Sequence, residues 1–526
     1  MALKKRFLVA ALIALLVMSL SPAGRTDTAR PMVIRVSVDS AESAGFLMSH
    51  FDETHNHGEG EVELLLWPGD LARIDALGLD YDVVIPDLYA HDQALRERPL
   101  PVQELPGPDR SDYRRLDDYN AEMQELAKKH PDLVKLFELP NPSLEGRTIY
   151  GVEIASNVKD IATDGRPIFY MDGVHHAREW PAAEYTQLFI HHLVEGYGKD
   201  KKITALLRKA RMIVVPIVNV DGFDYSREAV AQNSLLGAGN GFEGYWRKNR
   251  RSLTGVTVPA AQKNPDAFGV DPNRNYAYLW GDSEGGSSGL LLSQTYRGEA
   301  PFSEPEVRNV RDIFLNRQVV GDITNHTYQA TVLRAGGGNA PEDDILKSIG
   351  ARMADILGYQ SNGSVGYPTT GTTDDWAYSA MGALGFTIEN GSIGFHPPYD
   401  QEVGAFWKEH MEAFEVMLGV SANPKYHSVL EGKVAGGPAN LTITKSFDTS
   451  LSPGNPTGEE TLTEKIEMNL TTKANGSFEW HLSPSSRPYE KKAESYTLRI
   501  GSKGKTKTIK VFLKRGQTLD LGTIKL

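Results

Sequence analysis

Four apolar runs, each delivering polar side chains at its carboxyl end, constrain this 526-residue chain more than any other feature. "PIFYMDGV" leads into His175, His176, Ala177, Arg178, Glu179 and Trp180, and "RMIVVPIVNV" leads into Asp221 and Gly222. "QVVGDITN" leads into His326, and "ALGFTI" leads into Glu389 and Asn390. Short apolar runs bounded by turn residues read as strands buried on both faces. Between them, segments such as "WPAAEYTQLFIHHLVEGYG" and "AFWKEHMEAFEVMLGV" read as helices. In open α/β sheets ligands lie beyond the carboxyl ends of the strands, so four such ends describe one site. The expected class is α/β.

The length calls for several domains. Lys4, Lys5 and Arg6 precede an apolar run from Phe7 to Leu20, and Ser21-Pro22-Ala23 follows as a small-residue exit. Such a run covers only ~21 Å of a ~30 Å hydrocarbon core. Residues 1–23 are therefore expected to be a secretory signal peptide, with the mature chain secreted and no membrane span. Residues 24–105 alternate strand and helix in an acidic α+β segment. A Pro- and charge-rich connector, Arg96–Arg115, leads to the main α/β domain, 106–424. From 425 to 526 short alternating segments ("NLTITKSF", "SFEWHL", "SYTLRIG") separated by turns predict an all-β sandwich.

The chain has no cysteine, so any metal must be held by His, Asp or Glu. A net charge of -12 argues against a nucleic-acid partner. His176 and Glu179 are spaced i, i+3 and share one face of a helical turn. His326, at another strand end, completes a His₂Glu set that leaves one position of tetrahedral zinc open to water. Glu389, at a third, is placed to take a proton from that water.

These residues lie in six ordered motifs: "GVHHAREW" (173–180), "NVDGF" (219–223), "WRKNR" (246–250), "GVDPNRN" (269–275), "NHTY" (325–328) and "GYPTTGTTDDWAYSAMGALGFTIEN" (366–390). Through them, residues 113–420 resemble the secreted metallocarboxypeptidases of the A/B type. The resemblance implies a mixed twisted sheet flanked by helices, one Zn2+ per chain on His176, Glu179 and His326, and a catalytic Glu389. It implies that Arg247 stabilises the oxyanion and that Asn273 and Arg274 grip the terminal carboxylate. Arg178, Tyr328 and a mobile Tyr367 are implied to bind substrate. Asp374 falls at the floor of the specificity pocket, where a carboxylate favours Lys or Arg. Residues 24–105 resemble a pro-segment, an intramolecular inhibitor of a zymogen. The expected partners are peptide and protein C-termini, and the expected state is a monomer.

Other readings stay beside these. Mixed or apolar specificity, action on cell-wall peptides and a non-catalytic binding role are the alternatives. The sequence departs from the family at Asn390-Gly391-Ser392, and again at Leu333-Arg334-Ala335-Gly336, where Arg334 is a candidate for the outer subsites. His175 is expected to be a packed neighbour of the ligands, Asp221 a turn residue, and Asp375 and Trp376 structural. His191 and His192 are expected to be packing or surface residues, and His55 and His57 to belong to a solvated loop.

Overall fold

The computed structural model describes residues 30–54, 60–67, 69–97, 110, 112–231, 243–252, 269–282, 286–338, 342–363, 369–483 and 493–526. The proposed signal, the loop with His55 and His57, most of the connector, and Tyr367 lie outside the described residues.

The N-terminal part is a four-stranded antiparallel sheet of β1 (Met32–Ser37), β2 (Asp52–Glu53), β3 (Glu61–Leu66) and β4 (Tyr81–Ile85), in the order β2-β3-β1-β4. Helices α1 (Ala41–His50), α2 (Asp70–Leu77) and α3 (Leu88–Arg96) accompany it. The alternation in "VIRVSV" buries Val33 and Val36 on opposite faces. Ile34 and Val36 pack under α1 and α2, while Val33, Leu65 and Trp67 pack on Ala177, Tyr245 and Tyr328 of the main domain. The two-residue strand β2 was not evident from the sequence.

The main domain carries α4 (Leu116–Lys129), β5 (Val134–Glu138), β6 (Tyr150–Ile154), β7 (Ile168–Gly173), α5 (Trp180–Gly196), α6 (Lys201–Lys209), β8 (Arg211–Val215) and α7 (Val220–Ala231). It continues through α8 (Pro305–Asn316), β9 (Val319–His326), β10 (Thr331–Arg334), α9 (Asp343–Leu357), β11 (Gln360–Asn362), α10 (Thr373–Met381), β12 (Leu384–Glu389) and α11 (Val403–Ser421). Its eight strands run in the order β11-β10-β12-β9-β7-β8-β6-β5. The central strands β12, β9, β7 and β8 are parallel, and the flanking pairs β10/β12, β6/β8 and β5/β6 are antiparallel. The sheet is therefore mixed, as expected. Strands β7, β8, β9 and β12 are buried along their whole length, the physical origin of their unbroken apolar runs.

The C-terminal part is a sandwich of β13 (Ser428–Val434), β14 (Asn440–Ser450), β15 (Thr461–Thr471), β16 (Ser477–Leu482), β17 (Glu494–Ser502), β18 (Lys505–Leu513) and β19 (Thr518–Ile524). Its sheets are β16-β13-β19 and β15-β14-β17-β18. Alternation along β14 and β15 buries Leu441, Ile443, Ile466 and Met468 between them. β13, which mixes polar and apolar residues, was missed by the alternation pattern.

Candidate metal centre and substrate site

His176 lies just beyond β7, and Glu179 is the N-cap of α5, whose Pro181 falls in its first turn. His326 and Glu389 are the last residues of β9 and β12, and the parallel register sets them side by side. All four are buried. His176 Nδ1 lies 2.7 Å from Glu179 Oε1, His326 Nδ1 lies 2.9 Å from Glu179 Oε2, and the two Nδ1 atoms are 3.2 Å apart. One ligating atom from each of the three residues falls within 4.8 Å of the others. Two imidazole nitrogens on one zinc with ~2.0–2.1 Å bonds stand at a similar spacing, so the donor set and its convergence fit that ion.

The opposite imidazole nitrogens are held as well. His176 Nε2 is 3.1 Å from Asp271 Oδ1, a carboxylate–histidine pair that fixes the tautomer exposing Nδ1. His326 Nε2 is 3.2 Å from the Asn273 amide nitrogen. Asp271 also accepts from Arg247 Nε (3.2 Å) and Nη2 (2.9 Å), so one carboxylate orients both a ligand and the candidate oxyanion arginine. Burial alone would raise the Asp271 carboxyl; Arg247 and His176 outweigh it and hold it well below the usual carboxylate range. Burial, then the Arg247 charge, lowers His176, which favours the neutral imidazole a metal requires. Asp271 was not singled out from the sequence; its place in "GVDPNRN" was the available signal.

Asn273 and Arg274 sit on a short 3-10 turn, Pro272–Arg274, whose N-cap is Asp271. Asn273 Oδ1 accepts from Thr373 N (3.0 Å) and Oγ1 (3.1 Å), tying the clamp to the start of α10. Asp374, in the first turn of α10, is almost fully buried. Gly385 explains its position: a Cβ there would lie 2.7 Å from the Asp374 carbonyl oxygen, so α10 rests directly on β12. Burial pushes the Asp374 carboxyl up. Asp322 and Asp172 lie on neighbouring strands of the sheet. Among the described residues, neither oxygen of Asp322 has a hydrogen-bond partner, and burial followed by the Asp172 and Asp374 charges pushes it well up. The sequence reading passed over Asp322, a lone Asp inside an apolar strand.

The arginines are engaged by β2. Arg178 Nη1 and Nη2 donate to Asp52 Oδ2 (2.7 Å) and Oδ1 (2.9 Å), and Nη2 also donates to the Glu53 carbonyl (2.8 Å). Glu53 Oε1 lies 3.3 Å from Arg247 Nη2 and 3.6 Å from Arg274 Nη2. Tyr328 is buried edge-on to Phe395, within the cluster that includes Val33, Leu65 and Trp67.

Residues set aside in the sequence have other partners. His175 Nε2 meets Tyr276 Oη and Thr373 Oγ1, each at 2.9 Å. Asp221 accepts from Ser143 Oγ (2.7 Å), Glu145 N (2.8 Å) and Arg147 Nη1 (2.8 Å), fixing a turn. His191 pairs with Glu122 and His192 with Glu415. Arg334, the outer-subsite candidate, ends β10, and its Nε donates to Asp343 Oδ1 at 2.6 Å. The Asn390-Gly391 departure has a steric reason. Gly391 has φ +74°, and a Cβ there would lie 2.5 Å from Glu402 Oε2.

Residues 119–413 match the sequence profile of the family described as zinc carboxypeptidase. Carboxypeptidase B of Homo sapiens is 28% identical over 305 residues, covering 55% of this chain and 66% of that protein. Mast cell carboxypeptidase A of Rattus norvegicus is 29% identical over 343 residues, covering 61% of this chain and 74% of that protein. The alignments thus span about two thirds to three quarters of these relatives' own length. The solved carboxypeptidase A of Helicoverpa armigera superposes with a TM-score of 0.60 at 23% identity, over 74% of this chain and 97% of that one. That likeness shows a common fold.

Proposed function

The chain belongs to the zinc carboxypeptidase family, and on that premise we propose that it removes single residues, preferentially Lys or Arg, from the C-termini of peptides and proteins. We further propose that it is made as a secreted zymogen whose N-terminal module, residues 24–105, is the inhibitor. The observation that carries the activity is the convergence of the His176–Glu179–His326 set with Glu389 at adjacent strand ends.

His176, Glu179 and His326 would hold a zinc ion, which when bound would supply Lewis-acid polarisation of the scissile carbonyl and acidify the attacking water. Glu389 would be the proton carrier, taking a proton from the attacking water and returning it to the leaving amine. Arg247, oriented by Asp271, faces the oxyanion as a fixed cation. Arg274, braced with its Nη1 on the Asn273 carbonyl at 2.9 Å, receives the terminal carboxylate in its planar fork. That requirement for a free carboxylate restricts cleavage to the last residue. Asp374 supports the basic preference, because a buried carboxylate without a cation is costly and a Lys or Arg side chain relieves it. Homology to carboxypeptidase B supports the same choice at low identity.

The zymogen reading is supported by β2. Asp52 and Glu53 place two carboxylates on Arg178, Arg247 and Arg274, the cations a peptide must use. Export is supported by the Lys-Arg, apolar and small-residue order of residues 1–23.

The deciding experiment uses the cut, zinc-loaded chain and blocked dipeptides that differ only in the last residue. Release of Lys and Arg ahead of Phe is expected. No release of any terminal residue would overturn the activity, and release of Phe ahead of Lys and Arg would overturn the preference.

A further inference from the structure

The sandwich of residues 428–524 has no assigned role, and it meets the main domain at several places, among them α8, the loop of Ala162 and Gly165, and α10. Of these, α10 is the nine-residue helix with Asp374 in its first turn. Trp376 follows two residues later. Its ring is fully buried against Tyr276, Phe302 and Phe314, at centroid distances of 5.8, 5.4 and 5.5 Å. A buried indole N–H needs an acceptor. The acceptor is Glu464 of β15, whose Oε2 receives Trp376 Nε1 at 3.1 Å and Thr449 Oγ1 at 2.6 Å.

The far end of the same helix is held from the same side. Its C-cap, Gly382, presents its carbonyl to Arg515 Nη2 at 2.9 Å and to the Ser483 hydroxyl. Arg515 Nε donates to Glu342 Oε1 at 2.7 Å, and Glu342 Oε2 receives the hydroxyl of Tyr378, a residue of α10. A third attachment reaches the segment beside the carboxylate clamp. Leu279 N donates to the Ser450 carbonyl (2.9 Å) and Ser452 N to the Trp280 carbonyl (3.0 Å), while Gly371, which leads into α10, bonds Tyr278. A carboxylate buried at a module junction is expensive to keep. This one is engaged by Trp376 and Thr449.

We propose that the C-terminal sandwich is the positioning element of the specificity pocket, with Glu464 as the positioning residue that holds α10, and hence Asp374, through Trp376. The proposal rests on the reading of Asp374 as the pocket floor. A role in stability alone would affect all substrates alike, whereas positioning affects those that reach Asp374.

The test uses the full chain, cut between the N-terminal module and the main domain and loaded with zinc. Glu464→Ala, Glu464→Gln and Trp376→Phe are compared with the unaltered protein on blocked dipeptides ending in Arg, Lys or Phe. Loss of one buried, charge-assisted hydrogen bond corresponds to about a tenfold effect or more. Glu464→Ala is expected to raise KM for the Arg and Lys substrates about tenfold, leaving their kcat, the Phe kinetics and the zinc content unchanged. Glu464→Gln, which still offers an oxygen to Trp376 and Thr449, is expected to restore the KM. If Glu464→Ala does not fold, Trp376→Phe decides: it removes the N–H donor together with part of the buried ring, leaves Glu464 in place and carries the same expectation. Equal losses on all three substrates, or no change, overturn the proposal. Asp374→Asn separates the two readings. If it abolishes the basic preference while Glu464→Ala and Trp376→Phe do not alter it, only the positioning role fails. If the unaltered protein shows no basic preference, the reading of Asp374 fails first.

Discussion

Arg178 and Asp52 form a two-point ion pair, 2.7 and 2.9 Å, across the boundary between the N-terminal module and the main domain. Arg178 stands between the candidate ligands His176 and Glu179 in the chain, and it is stacked on Phe395 at 4.1 Å. The contact therefore joins the N-terminal module to the loop that builds the metal centre.

Removing one partner of such a buried pair typically costs about 3–5 kcal/mol. Asp52→Ala together with Glu53→Ala is expected to loosen the module and raise the activity of the uncut chain at least tenfold. The measurement is turnover of a blocked Arg dipeptide before and after proteolysis. An uncut, unaltered chain already as active as the cut one would sink the zymogen reading.

Glu389→Gln keeps the shape of the side chain but cannot accept a proton. A fall in kcat of about 10²–10⁴-fold is expected, with zinc content unchanged, since Glu389 is not among the ligating set. Metal analysis beside kinetics checks this; loss of zinc together with activity would assign Glu389 to the ligands instead.

Asp374→Ile is expected to turn the preference from basic toward apolar termini. Asp322→Leu is expected to leave zinc binding intact and to raise the unfolding free energy by about 1–3 kcal/mol, because it removes a buried carboxyl that has no hydrogen-bond partner among the described residues. Denaturant unfolding at neutral pH reads the second effect. A destabilised Asp322→Leu chain would show that the carboxyl has a partner after all.

His427 and His481 meet at the base of the sandwich, Nε2 to Nδ1 at 2.6 Å. Burial, then the charges of His481 and Arg515, pushes His427 down to about 3, and burial lowers His481 as well. Below an ordinary value near 6.5 the unfolded chain takes up protons that the folded chain refuses. The stability from this pair is complete above that pH and is lost as pH falls toward 3, by up to ~1.4 kcal/mol per unit for His427. His427→Leu is expected to flatten the dependence between pH 6.5 and 4.5 in chemical denaturation. An unchanged slope would exclude the pair as its source.

Much of the candidate site's placement was legible because burial on both faces of β7, β9 and β12 leaves apolar runs, so His326 and Glu389 stand out where those runs stop. Asp271 was hidden because its importance lies in bridging His176 and Arg247, a contact across the fold. Asp322 was hidden for the opposite reason: nothing in "VVGDITN" reveals that its Asp is left without a hydrogen bond. Asp52 and Glu53 look like ordinary members of an acidic segment, and only the antiparallel pairing of β2 with β3 carries them to the arginines. Glu464 sits in "LTEKIEMNL" at an inward position of an alternating strand, where an apolar residue is the ordinary expectation.

The chain has no cysteine, so no disulfide joins the N-terminal module to the enzyme. Before cleavage, the tether holds Asp52 and Glu53 near the arginines at an effective concentration in the millimolar range. One cut in the connector ends that advantage and makes recapture depend on the actual concentration of the freed module. On the zymogen reading, the cut protein stays self-bound where it is concentrated, and dilution alone completes its activation without a second cleavage.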